Sequence, residues 1–259
     1  MRKLTLLLFV LISGTLTAQD LTTYEKHVFT SSDGQSLPYR ILFPENYDRT
    51  KKYPLILFLH GAGERGNDNE KQLTHGAKLF LTEETRKNLP AIVIFPQCAA
   101  ESYWSSVVID RTTTPYSFDF DYSRPETDPL KNAIALVKKI SAEEGVDKNR
   151  VYITGLSMGG MGTFEAVYRY PKLFAAATPI CGGGDSSHYD KRVRKVPFSI
   201  YHGDADVVVG VKESRHMVEK LTSLKVNVRY KEYPGVNHNS WDNAFAEPDY
   251  LGWMFSKKK

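Results

Sequence analysis

The sequence predicts an α/β fold: a mainly parallel, twisted sheet with helices on both faces. Three observations carry this. Short runs rich in β-branched and aromatic residues alternate with stretches of helical periodicity along most of the chain. Two of these runs, 55–59 (LILFL) and 91–95 (AIVIF), are apolar at every position, as in strands covered on both faces. The chain has 259 residues, 41% hydrophobic and 25% charged, an ordinary globular composition with enough apolar surface to need no disulfide staples.

Taken in order, strands are predicted over 39–43, 55–59, 91–95, 151–154, 175–180, 197–201 and 226–233. The second ends in His60-Gly61, and the third is stopped by Pro96. Helices are predicted over 70–81, 129–144, 158–170, 212–224 and 243–255. The clearest is 129–144, where Leu130, Ala133, Ile134, Val137 and Ile140 share one face and Gly145 ends the run. Pro171 stops the helix that begins at Met158. Residues 97–128 fit neither period, yet they carry Tyr103, Trp104, Tyr116, Phe118, Phe120 and Tyr122. A loop of this length is usually functional or disordered. Its aromatic content argues for order, over the face onto which the strands open.

The first 18 residues are read as separate from the fold. Arg2 and Lys3 precede an apolar run over 4–12, broken only by Thr5, and a small-residue stretch ending in Leu16-Thr17-Ala18. This is the pattern of a secretory signal peptide. The run falls short of the roughly 20 residues that a membrane span needs. The expectation is a secreted or periplasmic protein, with one catalytic domain over 19–259 and no membrane insertion after signal removal. The formal charge of +4 includes Arg2, Lys3, Lys257, Lys258 and Lys259, leaving −1 for the remainder. That is no footprint for nucleic acid.

The segment that carries chemistry is Gly155-Leu156-Ser157-Met158-Gly159, a G-x-S-x-G placed between a predicted strand and a predicted helix. The bare pattern also fits an ordinary Gly-rich turn; the strand-to-helix context is what makes Ser157 a candidate nucleophile. A serine hydroxyl needs a base, and the base needs an orienting acid. Of the seven histidines, His238 follows the 226–233 strand and lies after Ser157 in the chain. His60 and His202 each close a strand before a glycine and read as structural, while His75 and His216 fall on predicted helices. His27 precedes the main sheet, and His188 stays a weaker second candidate. For the acid, Asp204 and Asp206 share one loop and position favours neither. The loop His60-Gly61-Ala62-Gly63-Glu64-Arg65-Gly66 follows LILFL. In this context it supplies one backbone N–H to an oxyanion, from Ala62, and Met158 supplies the other. A phosphate cradle is disfavoured there, because Asp68 and Glu70 follow at once. No metal-ligand spacing or nucleotide motif calls for a cofactor.

Together HGAGERGNDN, FPQC, TGLSMGGMGTFE, PICGGGD, HGDADVVV and YPGVNHNSWDNAF resemble the single-domain esterases in the prolyl oligopeptidase-like, feruloyl esterase-like part of the α/β-hydrolase superfamily. The resemblance runs over about 25–256 and implies the α/β-hydrolase fold. It implies Asp206 as the acid, although Val207-Val208-Val209 stands where many relatives carry a proline. It implies a serine carboxylic-ester hydrolase working through Ser157, His238 and Asp206, with a small-molecule or polysaccharide-linked ester as substrate. Feruloyl or acetyl esters of plant polysaccharide are one such class, and Tyr103, Trp104 and Trp241 are assigned to substrate. The alternatives are a serine peptidase or amidase, a polyhydroxybutyrate depolymerase-like esterase, and a carbohydrate-binding protein on a hydrolase scaffold. The strand order implied by the resemblance separates Cys98 from Cys181 by three strand gaps, about 14 Å. A disulfide needs Cα atoms within about 7 Å. Both are therefore expected as free thiols.

Overall fold

The computed structural model describes residues 20–259; the segment assigned to a signal peptide lies outside the described residues. The strands are β1 (Glu25–Thr30), β2 (Ser36–Leu42), β3 (Tyr53–Leu59), β4 (Ile92–Pro96), β5 (Val107–Asp110), β6 (Ser117–Phe120), β7 (Val146–Leu156), β8 (Ala176–Ile180), β9 (Phe198–Gly203) and β10 (Val228–Tyr233). The helices are α1 (Glu83–Asn88), α2 (Asp128–Glu143), α3 (Met158–Arg169), α4 (Lys212–Ser223), α5 (Trp241–Phe245) and α6 (Tyr250–Phe255). Eight strands form one sheet in the order β1-β2-β4-β3-β7-β8-β9-β10. The β1–β2 and β2–β4 pairs are antiparallel, and every later pair is parallel.

Alternation along the central strands sorts their side chains onto two faces. Leu55, Leu57 and Leu59 of β3 pack with Leu130, Ile134 and Val137 of α2 and with Phe164 and Val167 of α3. Ile56 and Phe58 point the other way, to Phe80, Tyr250, Trp253 and Met254. Both faces are thus dry, which is why LILFL shows no polar position. Parallel strands joined by helices also bring the carboxyl ends of β3, β7, β9 and β10 to one edge, where the site forms.

The structure departs from the expected elements at five points. Residues 70–81 do not form an α-helix. They make two short 3₁₀ turns, Lys71–Leu73 and Ala77–Phe80, broken by Gly76 at φ 81°. A Cβ at Gly76 would lie 2.4 Å from the Phe58 ring, so the chain needs glycine there and cannot stay helical. Residues 243–255 split into α5 and α6, because Pro248 interrupts the helix between them. The edge strand β1 went unpredicted: nearly all its residues are exposed, so it has no apolar alternation to read. The irregular 97–128 segment contains the antiparallel hairpin β5–β6. Helix α1, also unpredicted, starts at Thr82, whose Oγ1 accepts from the Thr85 N–H.

Cys98 and Cys181 are both free and buried, and β3 and β7 stand between the strands they follow. Burial pushes the Cys98 thiol up to about 12. No helix among the described residues is long and apolar enough to cross a membrane.

Candidate active site

Ser157 sits at the junction of β7 and α3 with φ 53° and ψ −115°, a conformation L-residues rarely adopt. The turn holds because α3 is pressed against the end of β3: a Cβ on Gly159 would lie 1.9 Å from the Leu59 carbonyl oxygen. The Ser157 N–H donates to the Ile180 carbonyl at 2.9 Å, tying the turn to β8. The Ser157 residue is 9% exposed, enough to present its hydroxyl to the cleft described below.

His238 lies in the loop after β10. Its Nδ1 is 2.8 Å from Asp206 Oδ2, and its Nε2 is 2.9 Å from Ser157 Oγ. An ionised carboxylate can only accept, so Nδ1 carries the proton and Nε2 is left to accept from the serine hydroxyl. The ring stands edge-on to Trp241, with centroids 5.5 Å apart.

Asp206 lies in the loop after β9, its side chain fully buried. Burial pushes its carboxyl upward, but hydrogen bonds from His202, His238 and the Val208 N–H outweigh this and hold it well below the usual range. Oδ1 accepts from the Val208 and Val209 N–H groups at 2.8 and 2.9 Å. The triple-valine stretch therefore supplies the turn that wraps the carboxylate. Asp204 points elsewhere, accepting from the Gly235 N–H at 2.7 Å on the surface.

His202, read from the sequence as structural, does hold a loop, but its approach to Asp206 was not foreseen. Its Nε2–H donates to the Val209 carbonyl at 2.8 Å and lies 3.2 Å from Asp206 Oδ2, while Nδ1 meets Ser214 Oγ at 2.7 Å. The signal was present in the spacing: His202 and Asp206 bracket one tight loop. His60, the other strand-closing histidine, is a loop brace. Its Nδ1–H donates to the Gly61 carbonyl at 2.6 Å, and its Nε2 accepts from the Cys98 N–H at 3.0 Å. Burial lowers its pKa to about 4. His188 pairs with Asp185 at 2.5 Å and does not reach Ser157.

Met158 begins α3, and the first N–H groups of a helix have no intrahelical acceptor. Ala62 begins the turn after Gly61, which packs on Leu156. Ala62 and Ser157 line the same cleft, of about 430 Å³. Tyr103 and Trp241 line it as well. Trp104 does not, which corrects its assignment to substrate: it is fully buried, its Nε1–H donates to the His60 carbonyl at 3.1 Å, and it serves the core. The hairpin supplies Ile109, Arg111, Tyr116 and Phe118; the aromatic content of the 97–128 segment marks Tyr116 and Phe118, whereas Ile109 and Arg111 carry no such signal. Among the described residues, Asp121, Asp185 and His188 bring three potential metal-ligand atoms within 4.8 Å, as do Cys181, Asp206 and His238 of the array itself. In the first group Asp185 already accepts from the Tyr122 N–H and Ser187.

A parallel sheet with a strained serine between strand and helix, facing a histidine and a buried aspartate, defines an α/β-hydrolase. The chain belongs to the phospholipase/carboxylesterase family, whose sequence model matches residues 46–247, and it is a serine hydrolase of the carboxylesterase kind. Carboxylesterase SOBER1 of Arabidopsis thaliana is 25% identical over 190 residues, covering 71% of this chain and 82% of that protein. The crystal structure of a thermostable esterase is 37% identical with a TM-score of 0.82, over 92% of this chain; the chain spans 64% of that esterase. The ferulic acid esterase AmCE1/Fae1A of Anaeromyces mucronatus, solved with ferulic acid, shares the fold at 18% identity and TM-score 0.66, over 93% of each chain.

Proposed function

We propose that the protein is an exported esterase in which Ser157 is the nucleophile, His238 the general base and Asp206 the acid that orients it. The observation that carries this reading is the unbroken hydrogen-bonded chain Ser157–His238–Asp206, at 2.9 and 2.8 Å, opening on an aromatic-walled cleft. Ser157 Oγ attacks the ester carbonyl as its proton passes to His238 Nε2. The Ala62 and Met158 N–H groups hold the developing oxyanion. The imidazolium then protonates the departing alcohol, and water repeats the sequence on the acyl-enzyme.

The substrate class proposed is feruloyl or acetyl esters on plant polysaccharide. Tyr103, Tyr116, Phe118 and Trp241 support it by giving the cleft flat apolar walls suited to an aromatic acyl group. Export rests on the basic and apolar pattern of residues 1–18. The test is a panel of purified-enzyme assays with an aryl acetate, methyl ferulate and an aminoacyl anilide, alongside labelling by a fluorophosphonate. Both esters should turn over, with labelling abolished in Ser157→Ala. Faster cleavage of the anilide than of either ester, or labelling that survives in Ser157→Ala, would overturn the reading.

A further inference from the structure

The polar side chains of the cleft are not symmetrically charged. Among the described residues, Glu64 is the one acidic residue in its lining, and it faces His75, with Oε1 3.7 Å from Nε2. His75 in turn packs on Trp241. That carboxylate thus has its own partner on the side of the cleft next to His238. The side toward the hairpin carries two guanidinium groups, Arg65 and Arg111.

Arg65 is held in place. Its Nε–H donates to the Ala62 carbonyl at 2.9 Å, its Nη1 donates to the Ser102 carbonyl at 3.2 Å, and the group lies over the Tyr103 ring at 5.1 Å. Its Nη2 has no partner among the described residues, so two N–H donors remain for something in the cleft. Arg111, just past β5 at the hairpin turn, lines the same cleft and makes no ion pair or hydrogen bond among the described residues. The Arg65 guanidinium, fixed by those bonds, loses little conformational entropy when it takes an oxyanion, whereas Arg111 is exposed and is ordered only as it does so.

We infer that the cleft selects esters carrying a carboxylate, bound between Arg65 and Arg111. The ligand class is an acidic ester with its charged group on the hairpin side, such as one formed by a dicarboxylic, uronic or carboxyaryl unit. This rests on the proposed ester hydrolysis at Ser157 and narrows its substrate. The aromatic walls remain in use, because they take the body of the substrate while the guanidinium groups take its charged end.

The test uses two matched pairs of esters. In one the charge lies on the alcohol side: para-acetoxybenzoate and its methyl ester. In the other it lies on the acyl side: the para-nitrophenyl half-ester of adipic acid and its methyl-capped twin. The readout is the kcat/KM ratio of charged to neutral ester within each pair, which cancels any general loss of activity. In Arg111→Gln the ratio should fall about tenfold or more for at least one pair, as expected for removing a hydrogen bond between charged groups. Arg111→Lys should restore part of it, and added salt should lower the wild-type ratio. Arg65→Gln should act on the same pair. Arg65 also braces Ala62, so Arg111 decides the question if the Arg65 variant does not fold. Ratios unchanged within twofold in Arg111→Gln for both pairs would overturn the carboxylate subsite. Failure of the underlying reading looks different: no neutral ester would be turned over, and no fluorophosphonate would label Ser157.

Discussion

The sheet edge that bears Ser157, Asp206 and His238 and the hairpin that faces it are built on opposite principles. The edge is fixed from below. β3, β7 and β9 are buried along most of their length, and Asp206 is held by two histidines and two backbone N–H groups. The hairpin β5–β6 alternates exposed and half-buried residues and shares no ladder with the main sheet. Two ties hold it. At its base Glu165 of α3, fully buried, accepts from Ser105 Oγ, the Ser106 N–H and Ser106 Oγ, and pairs with Arg169. At its turn the Tyr116 N–H donates to the Val208 carbonyl at 3.1 Å, beside the Asp206 loop. The edge that holds Ser157, His238 and Asp206 is built into the core, whereas the hairpin is joined to it through few bonds and can vary without disturbing it.

If that division holds, variants on the edge should abolish rate and variants on the hairpin should redirect it. The largest effect should come from Ser157→Ala, a loss of kcat on the order of 10⁴-fold or more with the melting temperature unchanged, since alanine meets the same backbone constraint. Asp206→Asn should follow, with a loss of roughly 10⁴-fold, because the amide favours the wrong tautomer of His238. Asp204→Asn should cost little in rate, since Asp204 only accepts from the Gly235 N–H. Equal losses in the two Asn variants, measured by steady-state kinetics, would sink the assignment.

His60 gives the edge a pH signature. Its folded pKa of about 4 lies below its ordinary value of 6.5. Above pH 6.5 neither the folded nor the unfolded form is protonated there, and stability is full. As the pH falls from 6.5 to 4 the unfolded chain takes up a proton that the folded chain refuses, and stability drops by roughly 3 kcal/mol. Denaturant titrations across this range should show that slope in the wild type and a shallower one in His60→Gln.

The smallest effect belongs to the hairpin. Phe118→Ala should change the kcat/KM ratio of aromatic to acetyl esters by a few-fold to tenfold, the range for trimming an apolar pocket wall. A uniform fall on both esters would mean that the hairpin supports the edge and does not select substrate.

The same division explains what could be read from the sequence. The buried strands were legible because both faces are dry, and the meeting of Ser157 with His238 because each follows a strand that ends on the same edge. Asp206 could not be separated from Asp204 by position; the difference is which carboxylate the 207–209 backbone wraps. Trp104 was misassigned because an aromatic residue in a long loop reads alike whether it turns to the cleft or, as here, under the His60 loop. The hairpin and β1 escaped detection for one reason: short strands outside the core lack a buried face, and periodicity is a record of burial.

One further consequence follows from the strand order. The sheet does not close on itself, so β1 and β10 each leave a row of backbone donors and acceptors on an open flank. On β10 the ion pairs Arg229–Asp249, Lys231–Glu247 and Glu232–Arg215 stud the flank with charge, and on β1 Glu25 and Lys26 do the same. A second chain seeking to add a strand would have to desolvate or break those pairs. The open flanks thereby carry an electrostatic barrier to chain-to-chain strand addition.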